Sequence, residues 1–197
     1  MSAPPNTDLV TARSPTFKAR IAGSFYLLCI VTNVIELSGK GGHWLTVSFG
    51  LISTASYGTV TVLFYYLFKP VGARLSLVAM LFGLAGCTIR VLRPLGLVPS
   101  HVHSTLFFGF YLFLVGYLIL RSTFLPHTLG ALAAVAGGLG LLTFVSPRLA
   151  NQLSIYPYVA AAVGEGTLTV WLLAVGVDAV RWKEQAGGRS AMPIVGK

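Results

Sequence analysis

The sequence contains few charged residues and very few acidic ones. Asp and Glu together number 5 among 197 residues, and all charged residues amount to 10% of the chain. Soluble domains carry roughly 25% charged residues because their surfaces face water. With 55% hydrophobic residues and a mean hydropathy of +0.79, this shortage of charge excludes an ordinary soluble domain. It predicts a chain whose surface faces lipid.

Cysteine and the common site motifs are also scarce. Cys29 and Cys87 both fall within apolar segments, and two separated thiols provide neither a disulfide framework nor a spaced metal site. His101 and His103 are two residues apart and do not share a helical face, so we do not expect a metal pair. The chain has no Gly-rich phosphate loop, no nucleophile elbow and no aspartate-rich diphosphate-binding motif. We therefore expect no metal and no cofactor.

The excess of basic residues has two possible meanings. Fourteen basic residues against five acidic ones give a net charge of +9, which in a soluble protein would suggest a nucleic-acid partner. Here the basic residues lie mainly at the ends of apolar runs, as in membrane proteins. No aromatic and basic surface for reading bases is apparent, so we expect no nucleic-acid partner.

Six apolar segments are long enough to cross a membrane as helices, which takes about 20 mostly apolar residues. They lie at residues 17–37, 44–68, 73–98, 102–121, 126–146 and 157–181. The short separators, rich in Gly, Pro and Ser, require neighbouring helices to run antiparallel. The sequence predicts an all-α, polytopic membrane bundle of six transmembrane helices over residues 17–182. A disordered cytoplasmic tail at 1–16 and a flexible one at 183–197 complete the prediction.

The distribution of Lys and Arg predicts the orientation. Ten of the fourteen basic residues lie on the side of the N-terminus, and four lie on the opposite side. Because cytoplasmic loops carry the excess of basic residues, we expect both termini in the cytoplasm and a multi-pass protein of a bacterial inner (plasma) membrane, surrounded by membrane lipids. The N-terminal set is Arg13, Lys18, Arg20, Lys69, Arg74, Arg121, Arg181, Lys183, Arg189 and Lys197; the opposite set is Lys40, Arg90, Arg93 and Arg148.

The fifth predicted span is rich in small residues. Gly130, Ala134, Gly137, Gly138 and Gly140 include pairs four residues apart, a spacing that allows helix backbones to approach closely. We favour packing against another helix of the same chain, with a homo-oligomer formed through this span as the alternative.

Ionisable residues within the spans are informative because each costs roughly 2.5–3.5 kcal/mol on membrane-insertion scales. Glu36 lies near the outer end of the first span, with Asn33 one turn earlier, and Arg90 and Arg93 lie in the outer third of the third span. Glu165 is placed about 12 Å below the outer boundary, near the depth of Arg90. We expect these five residues to gather in the outer half of the bundle.

Hydroxyl-bearing residues on the second span favour a polar pocket at the same depth. Pro94 also removes the normal helical donor for the carbonyl of Arg90, which predicts a kinked third helix facing protein or water. Tyr57 joins the candidate ligand-binding residues Arg90, Arg93, Glu165, Glu36 and Asn33. The hydroxyl-bearing residues recur at a spacing of four: Ser53, Tyr57, Thr61 and Tyr65.

Two interpretations of Arg90 and Glu165 are open. They could form an ion pair that joins the third and sixth helices and fixes their register. They could instead bind a ligand or move a proton. Three functions follow: binding or transport of a small amphipathic (lipophilic) or anionic molecule; a structural or regulatory membrane subunit; or an intramembrane cyclase or isomerase with Glu165 as the catalytic general acid. The residues alone do not decide between them.

Several short segments resemble a known family. Phe108–Tyr111, Gly116–Ser122 and Phe124–Pro126, together with an opening at Ala19–Gly23 and a closing Gly164-Glu165, are similar to a prokaryotic membrane family catalogued as domain of unknown function 4386 (DUF4386). The resemblance spans roughly residues 18–182. It implies a multi-helix membrane protein and places Glu165 within a family motif, but it implies no reaction.

Overall fold

A computed structural model describes residues 14–38, 42–99, 101–144, 148, 152–153 and 155–190. Within these ranges the regular structure is helical throughout and contains no strand, which confirms the all-α prediction. The tails expected at 1–16 and 183–197 lie partly outside these ranges; residues 15 and 16 already belong to the first helix. The helices are α1 (Pro15–Ser38), α2 (Gly42–Leu92), α3 (Ser104–Arg121), α4 (His127–Leu142), α5 (Tyr156–Ala174) and α6 (Ala179–Ser190).

Helix α2 is 51 residues long and folds back on itself. Pro70 precedes a break at Gly72, where the backbone leaves the helical region (φ −169°, ψ 90°). Beyond the break, the Ser76 hydroxyl donates a 3.0 Å hydrogen bond to the carbonyl of Tyr65, although eleven residues of straight helix would span about 16 Å. Helix α2 therefore consists of two antiparallel segments, which we call α2a (residues 42–71) and α2b (residues 73–92).

The helical segments follow the predicted spans closely. Helix α4 ends at Leu142, four residues before the predicted end at 146, and two further helices also end early. The third span was expected to continue to residue 98 with a kink, but α2b ends at Leu92. Pro94 stands in a turn in which the amide of Leu95 bonds the carbonyl of Leu92. The sixth span was expected to reach residue 181, but α5 ends at Ala174, just before Gly176 adopts a left-handed conformation (φ +79°).

Four of the described helices, α1, α2, α3 and α5, are long and apolar enough to cross a membrane. Helix α4 is apolar but has 16 residues. Helix α6 is different, since charged and polar residues dominate its sequence. Residues 183–190, expected to belong to a flexible tail, lie in this last helix.

The small residues of the fifth predicted span pack against α3 of the same chain. A Cβ added to Gly137 would lie 2.4 Å from the backbone nitrogen of Phe113, and one added to Gly116 would lie 2.4 Å from that of Ala134. At these distances only a hydrogen fits between the two backbones. The small face is therefore occupied by an intrachain contact.

Helix α6 lies against the end of the bundle where α1 begins. The Trp182 indole donates a 2.8 Å hydrogen bond to the carbonyl of Leu67, and the Thr16 hydroxyl donates one of 3.1 Å to the carbonyl of Val177. We call this the α6 end of the bundle. We call the opposite end of the bundle the far end. It contains the last residues of α1 and α2b and the first residues of α2a, α3 and α5.

Candidate functional site

An ion pair at the far end joins α1 to α2b. Arg90 Nη2 lies 2.5 Å from Glu36 Oε2, and the two side chains are 28% and 25% exposed. A Cβ on Gly50 of α2a would lie 3.0 Å from Glu36 Oε1, so the glycine leaves room for the carboxylate. The far-end pair therefore contacts three helical segments.

Arg90 and Glu165, which the sequence left open as an ion pair, do not pair, because the two residues lie at different depths and not at the similar depth that was expected. Arg90 is two residues from the end of α2b, whereas Glu165 is the middle residue of the 19-residue α5. The middle of such a helix lies about 14 Å from either end. Glu36, near the end of α1, is the acidic residue at the level of Arg90.

The other candidates at the far end do not converge on a pocket with Glu165. Arg93 is exposed, and its Nη1 lies 3.2 Å from Nδ1 of His103. Asn33 is partly exposed and makes no side-chain hydrogen bond with any residue that the structure describes. Over the same ranges, no group of three His, Cys, Asp or Glu side chains is placed to hold a metal ion.

Glu165 instead contacts a tyrosine in the middle of the bundle. The hydroxyl of Tyr57 on α2a donates a 3.2 Å hydrogen bond to Glu165 Oε1. The Tyr57 side chain is buried and that of Glu165 is partly exposed. Among the described side chains, no Lys, Arg or His pairs with this carboxylate.

Two further tyrosines pack around Tyr57. Its ring centroid lies 5.8 Å from that of Tyr26 and 5.6 Å from that of Tyr111, both in edge-to-face arrangements. Tyr26 and Tyr111 are each only 1% exposed, and their hydroxyls find no hydrogen-bond partner in the described part of the chain. The Tyr26 hydroxyl lies near Glu165 and the Tyr111 hydroxyl lies near Thr61, but neither pair meets hydrogen-bond geometry. We call Tyr26, Tyr57, Tyr111 and Glu165 the tyrosine–glutamate cluster.

Each member of this cluster comes from the central part of a different helical segment. Tyr26 lies on α1, Tyr57 on α2a, Tyr111 on α3 and Glu165 on α5. The cluster is thus at mid-depth in the bundle, not in the outer half where the polar pocket was expected. Sequence reasoning named Tyr57 and Glu165 but missed Tyr26 and Tyr111. The signal that could have identified them is their position near the middle of a predicted span, because tyrosine rings in membrane proteins usually lie at the interface.

Smaller polar groups lie between the cluster and the far-end pair. Ser53 Oγ lies 3.5 Å from Cys29 Sγ and 3.3 Å from the carbonyl of Cys29. Ser53, Tyr57 and Thr61, three members of the hydroxyl-bearing stripe on the second span, are buried. Tyr26, Cys29 and Glu36 also share one face of α1, given their spacing of three and seven residues. We call this set of polar residues along α1 and α2a, from Tyr57 through Ser53 and Cys29 to Glu36, the polar seam.

Aromatic rings surround the cluster. Phe108 lies 5.0 Å from Tyr57, and Phe64 lies 6.0 Å from Tyr26, measured between ring centroids. The result is one carboxylate and three phenol hydroxyls within apolar and aromatic walls. Such a site can accept hydrogen bonds at Glu165 and either donate or accept them at two further hydroxyls.

The chain is therefore an all-helical protein with membrane-type helices around a polar centre. Residues 100–176 match the family model described as "Domain of unknown function (DUF4386)", which supports the resemblance seen in the sequence. The match covers α3, α4 and α5 and includes Tyr111 and Glu165. No curated protein and no solved structure is detectably similar to the chain.

Proposed function

We propose that the chain crosses a bacterial inner membrane six times, with α1, α2a, α2b, α3, α4 and α5 as the passes and both termini in the cytoplasm. Helix α4 is about 24 Å long, shorter than the roughly 30 Å hydrocarbon core, but it packs between α3 and α5. The described basic residues support this orientation, since seven of them lie at the α6 end: Lys18, Arg20, Lys69, Arg74, Arg121, Arg181 and Lys183.

Exposed aromatic residues support the position of the opposite boundary. At the far end, Trp44 is 82% exposed, and Tyr156 and Tyr158 are 61% and 67% exposed. Amphipathic rings of this kind favour the interface between lipid and water. The far end would thus lie at the outer surface of the membrane.

We further propose that the protein binds a small amphipathic molecule at the tyrosine–glutamate cluster. The observation that carries this proposal is the pair of buried, unpartnered hydroxyls within the tyrosine–glutamate cluster, those of Tyr26 and Tyr111. Leaving a buried polar group unpaired costs about 1–3 kcal/mol. A cluster that served only to join helices would be more stable if its own groups satisfied one another, as those of Arg90 and Glu36 do.

The exposure of α5 indicates how an amphipathic molecule would be placed. Glu165 is partly exposed, and towards the far end Val159 and Val163 are each 51% exposed. An apolar body could therefore lie along α5 while its polar group reaches Glu165 and the hydroxyls. An anionic ligand is less favoured, because Arg90, the residue proposed to attract it, is neutralised by Glu36.

The test is thermal unfolding of the purified protein in lipid nanodiscs with three probes that share a ten-carbon chain: decylammonium, decanol and decanoate. We expect at least one probe to raise the Tm of the wild type. The shift should disappear in Glu165→Gln and decrease in Tyr57→Phe. Glu184→Gln, the same change at an exposed residue of α6, is the matched control and should retain it.

Two results would overturn the binding function. One is the absence of any Tm shift with all three probes. The other is an equal shift in wild type, Glu165→Gln and Glu184→Gln, which would mean that the probes act through the lipid. Either result would leave a structural or regulatory role for the bundle.

A further inference from the structure

The tyrosine–glutamate cluster contains one acidic group and no basic group. An ionised carboxylate offers about four lone-pair positions and no donor, and only Tyr57 donates to Glu165 among the described residues. The Arg90 guanidinium is bonded to Glu36 at the far end. The cluster therefore has spare capacity to accept hydrogen bonds and no internal positive charge.

A lone ionised carboxylate at mid-depth is costly, since an unpaired charge in an apolar interior loses its hydration. Two partners from outside the cluster can remove that cost: a proton on the carboxyl group, or a cation beside the carboxylate. Because both neutralise the same oxygen atoms, they exclude each other.

We infer that the cluster binds a lipophilic organic cation, such as an amine or quaternary onium compound, in exchange for a proton on Glu165. This inference rests on the proposed binding function and adds the class of the ligand. In the exchange, the protonated Glu165 loses its O–H bond, the proton leaves to solvent, and the carboxylate pairs with the entering monovalent cation. Charge balances at one proton released for each cation bound.

The walls of the site suit a cation. Tyr26 and Phe108 pack against the ring of Tyr57, whose hydroxyl bonds the carboxylate. The faces of aromatic rings attract organic cations by about 0.5–2 kcal/mol each. The oxygens of the unpartnered Tyr26 and Tyr111 hydroxyls can accept hydrogen bonds from an ammonium group. The partly exposed Glu165 then provides the charge complement.

The groups that face Glu165 allow it to be the site of exchange. Helix α1 presents Tyr26 and Cys29, α2a presents Tyr57 and α3 presents Tyr111, all uncharged in their usual forms. On α2b, the Cys87 thiol donates to the carbonyl of Thr54. Helix α4 carries a single titratable residue, His127, at its first position near the α6 end. Beyond Cys29 along the polar seam, the next charged groups are Glu36 and Arg90, which neutralise each other.

The experiment uses tetraphenylphosphonium and tetraphenylborate, which match in size and hydrophobicity and differ in the sign of charge. We expect the wild-type protein in nanodiscs to bind the phosphonium ion and to release one proton per ion in weakly buffered solution. In the pH range where Glu165 is protonated, the affinity for the cation should fall about tenfold for each unit by which the pH is lowered, as one-for-one exchange requires. Tetraphenylborate should show no binding that depends on the cluster.

Variants assign the effect to Glu165. Glu165→Gln should lose both cation binding and proton release, Glu165→Asp should keep the release with weaker binding, and Glu184→Gln should behave as wild type. Binding without proton release in the wild type, or equal binding in Glu165→Gln, would overturn the inference. If decanol shows binding that depends on the cluster and the phosphonium ion does not, the proposed function stands and the cation inference fails. If neither the phosphonium ion nor any of the three ten-carbon probes binds, both fail.

Discussion

Arg90 and Glu36 form a 2.5 Å ion pair that connects the end of α2b to the end of α1. Glu36 thus binds Arg90, the basic residue that the sequence predicted to lie nearest to Glu165. Glu165 is consequently left with a phenol hydroxyl as its described partner. The two polar centres of the bundle thus have different chemistry. Arg90 and Glu36 neutralise each other between two helices, whereas Glu165 has no basic partner among the described residues.

Breaking the far-end pair should destabilise the protein. Removing one partner of a fully buried pair costs about 3–5 kcal/mol, and an exposed pair contributes about 0–1 kcal/mol. With side chains about a quarter exposed, Arg90→Gln should lower the free energy of unfolding by about 1–3 kcal/mol. Thermal or denaturant unfolding in detergent would measure the loss.

A double-mutant cycle provides the control for this pair. Because Glu36→Gln removes the charge that Arg90→Gln leaves unpaired, the double variant should be more stable than the sum of the single changes predicts. Additive losses would show that the two side chains do not stabilise each other.

The contact between α3 and α4 should tolerate no side chain at Gly137. In Gly137→Ala the new Cβ would lie 2.4 Å from the Phe113 nitrogen, so the backbones must separate, at a cost of about 1–3 kcal/mol. Gly138→Ala is the matched control, since its nearest neighbour, a ring carbon of Phe113, is 4.0 Å away. That variant should be neutral or slightly stabilising, because alanine favours helix more than glycine does. Equal Tm values for the two variants would contradict the close contact.

Docking of α6 should depend on the indole N–H of Trp182. Trp182→Phe keeps an aromatic ring but removes the 2.8 Å hydrogen bond to the carbonyl of Leu67, with an expected local loss of about 0.5–1.5 kcal/mol. Amide hydrogen exchange in α6 should become faster by a few-fold. Lys183→Gln, a change at the exposed neighbouring residue, should leave the exchange as it is. Unchanged protection in Trp182→Phe would mean that other contacts hold α6.

The proposed orientation can be tested with single cysteines. Cys29 and Cys87 are buried, and a Cys29→Ala, Cys87→Ala background removes them as competitors. A membrane-impermeant maleimide applied to intact cells should then label His43→Cys, which is exposed at the far end. Glu184→Cys, at the α6 end, should be labelled only after permeabilisation. The reverse pattern would place both termini outside.

The helices were predictable because hydropathy along the chain directly reflects which segments avoid water. Their pairing was not, as Arg90 shows: the sequence gives the depth of a residue only to within several positions, and it does not tell which helices adjoin. The break after α5 was also missed, since the apolar residues around Gly176 continue the pattern of a span. Its left-handed backbone conformation ends the helix without any change in hydropathy.

The tyrosine–glutamate cluster shows a second reason for incomplete prediction. Tyr26 and Tyr111 occur within apolar runs, where an aromatic ring usually serves packing. Their importance depends on the position of two hydroxyls relative to Glu165, which is more than fifty positions away from either tyrosine in sequence. That information arises only when α1, α2a, α3 and α5 are assembled.

The backbone break at Gly72 determines whether the chain passes along the bundle an even or an odd number of times. As an unbroken rod, α2 would be about 76 Å long, and every helix after residue 72 would run in the opposite direction. With the break, the chain makes an even number of traversals, and Thr16 and Val177 meet at the same end. One residue outside the helical region thus decides at which end of the bundle α6 lies.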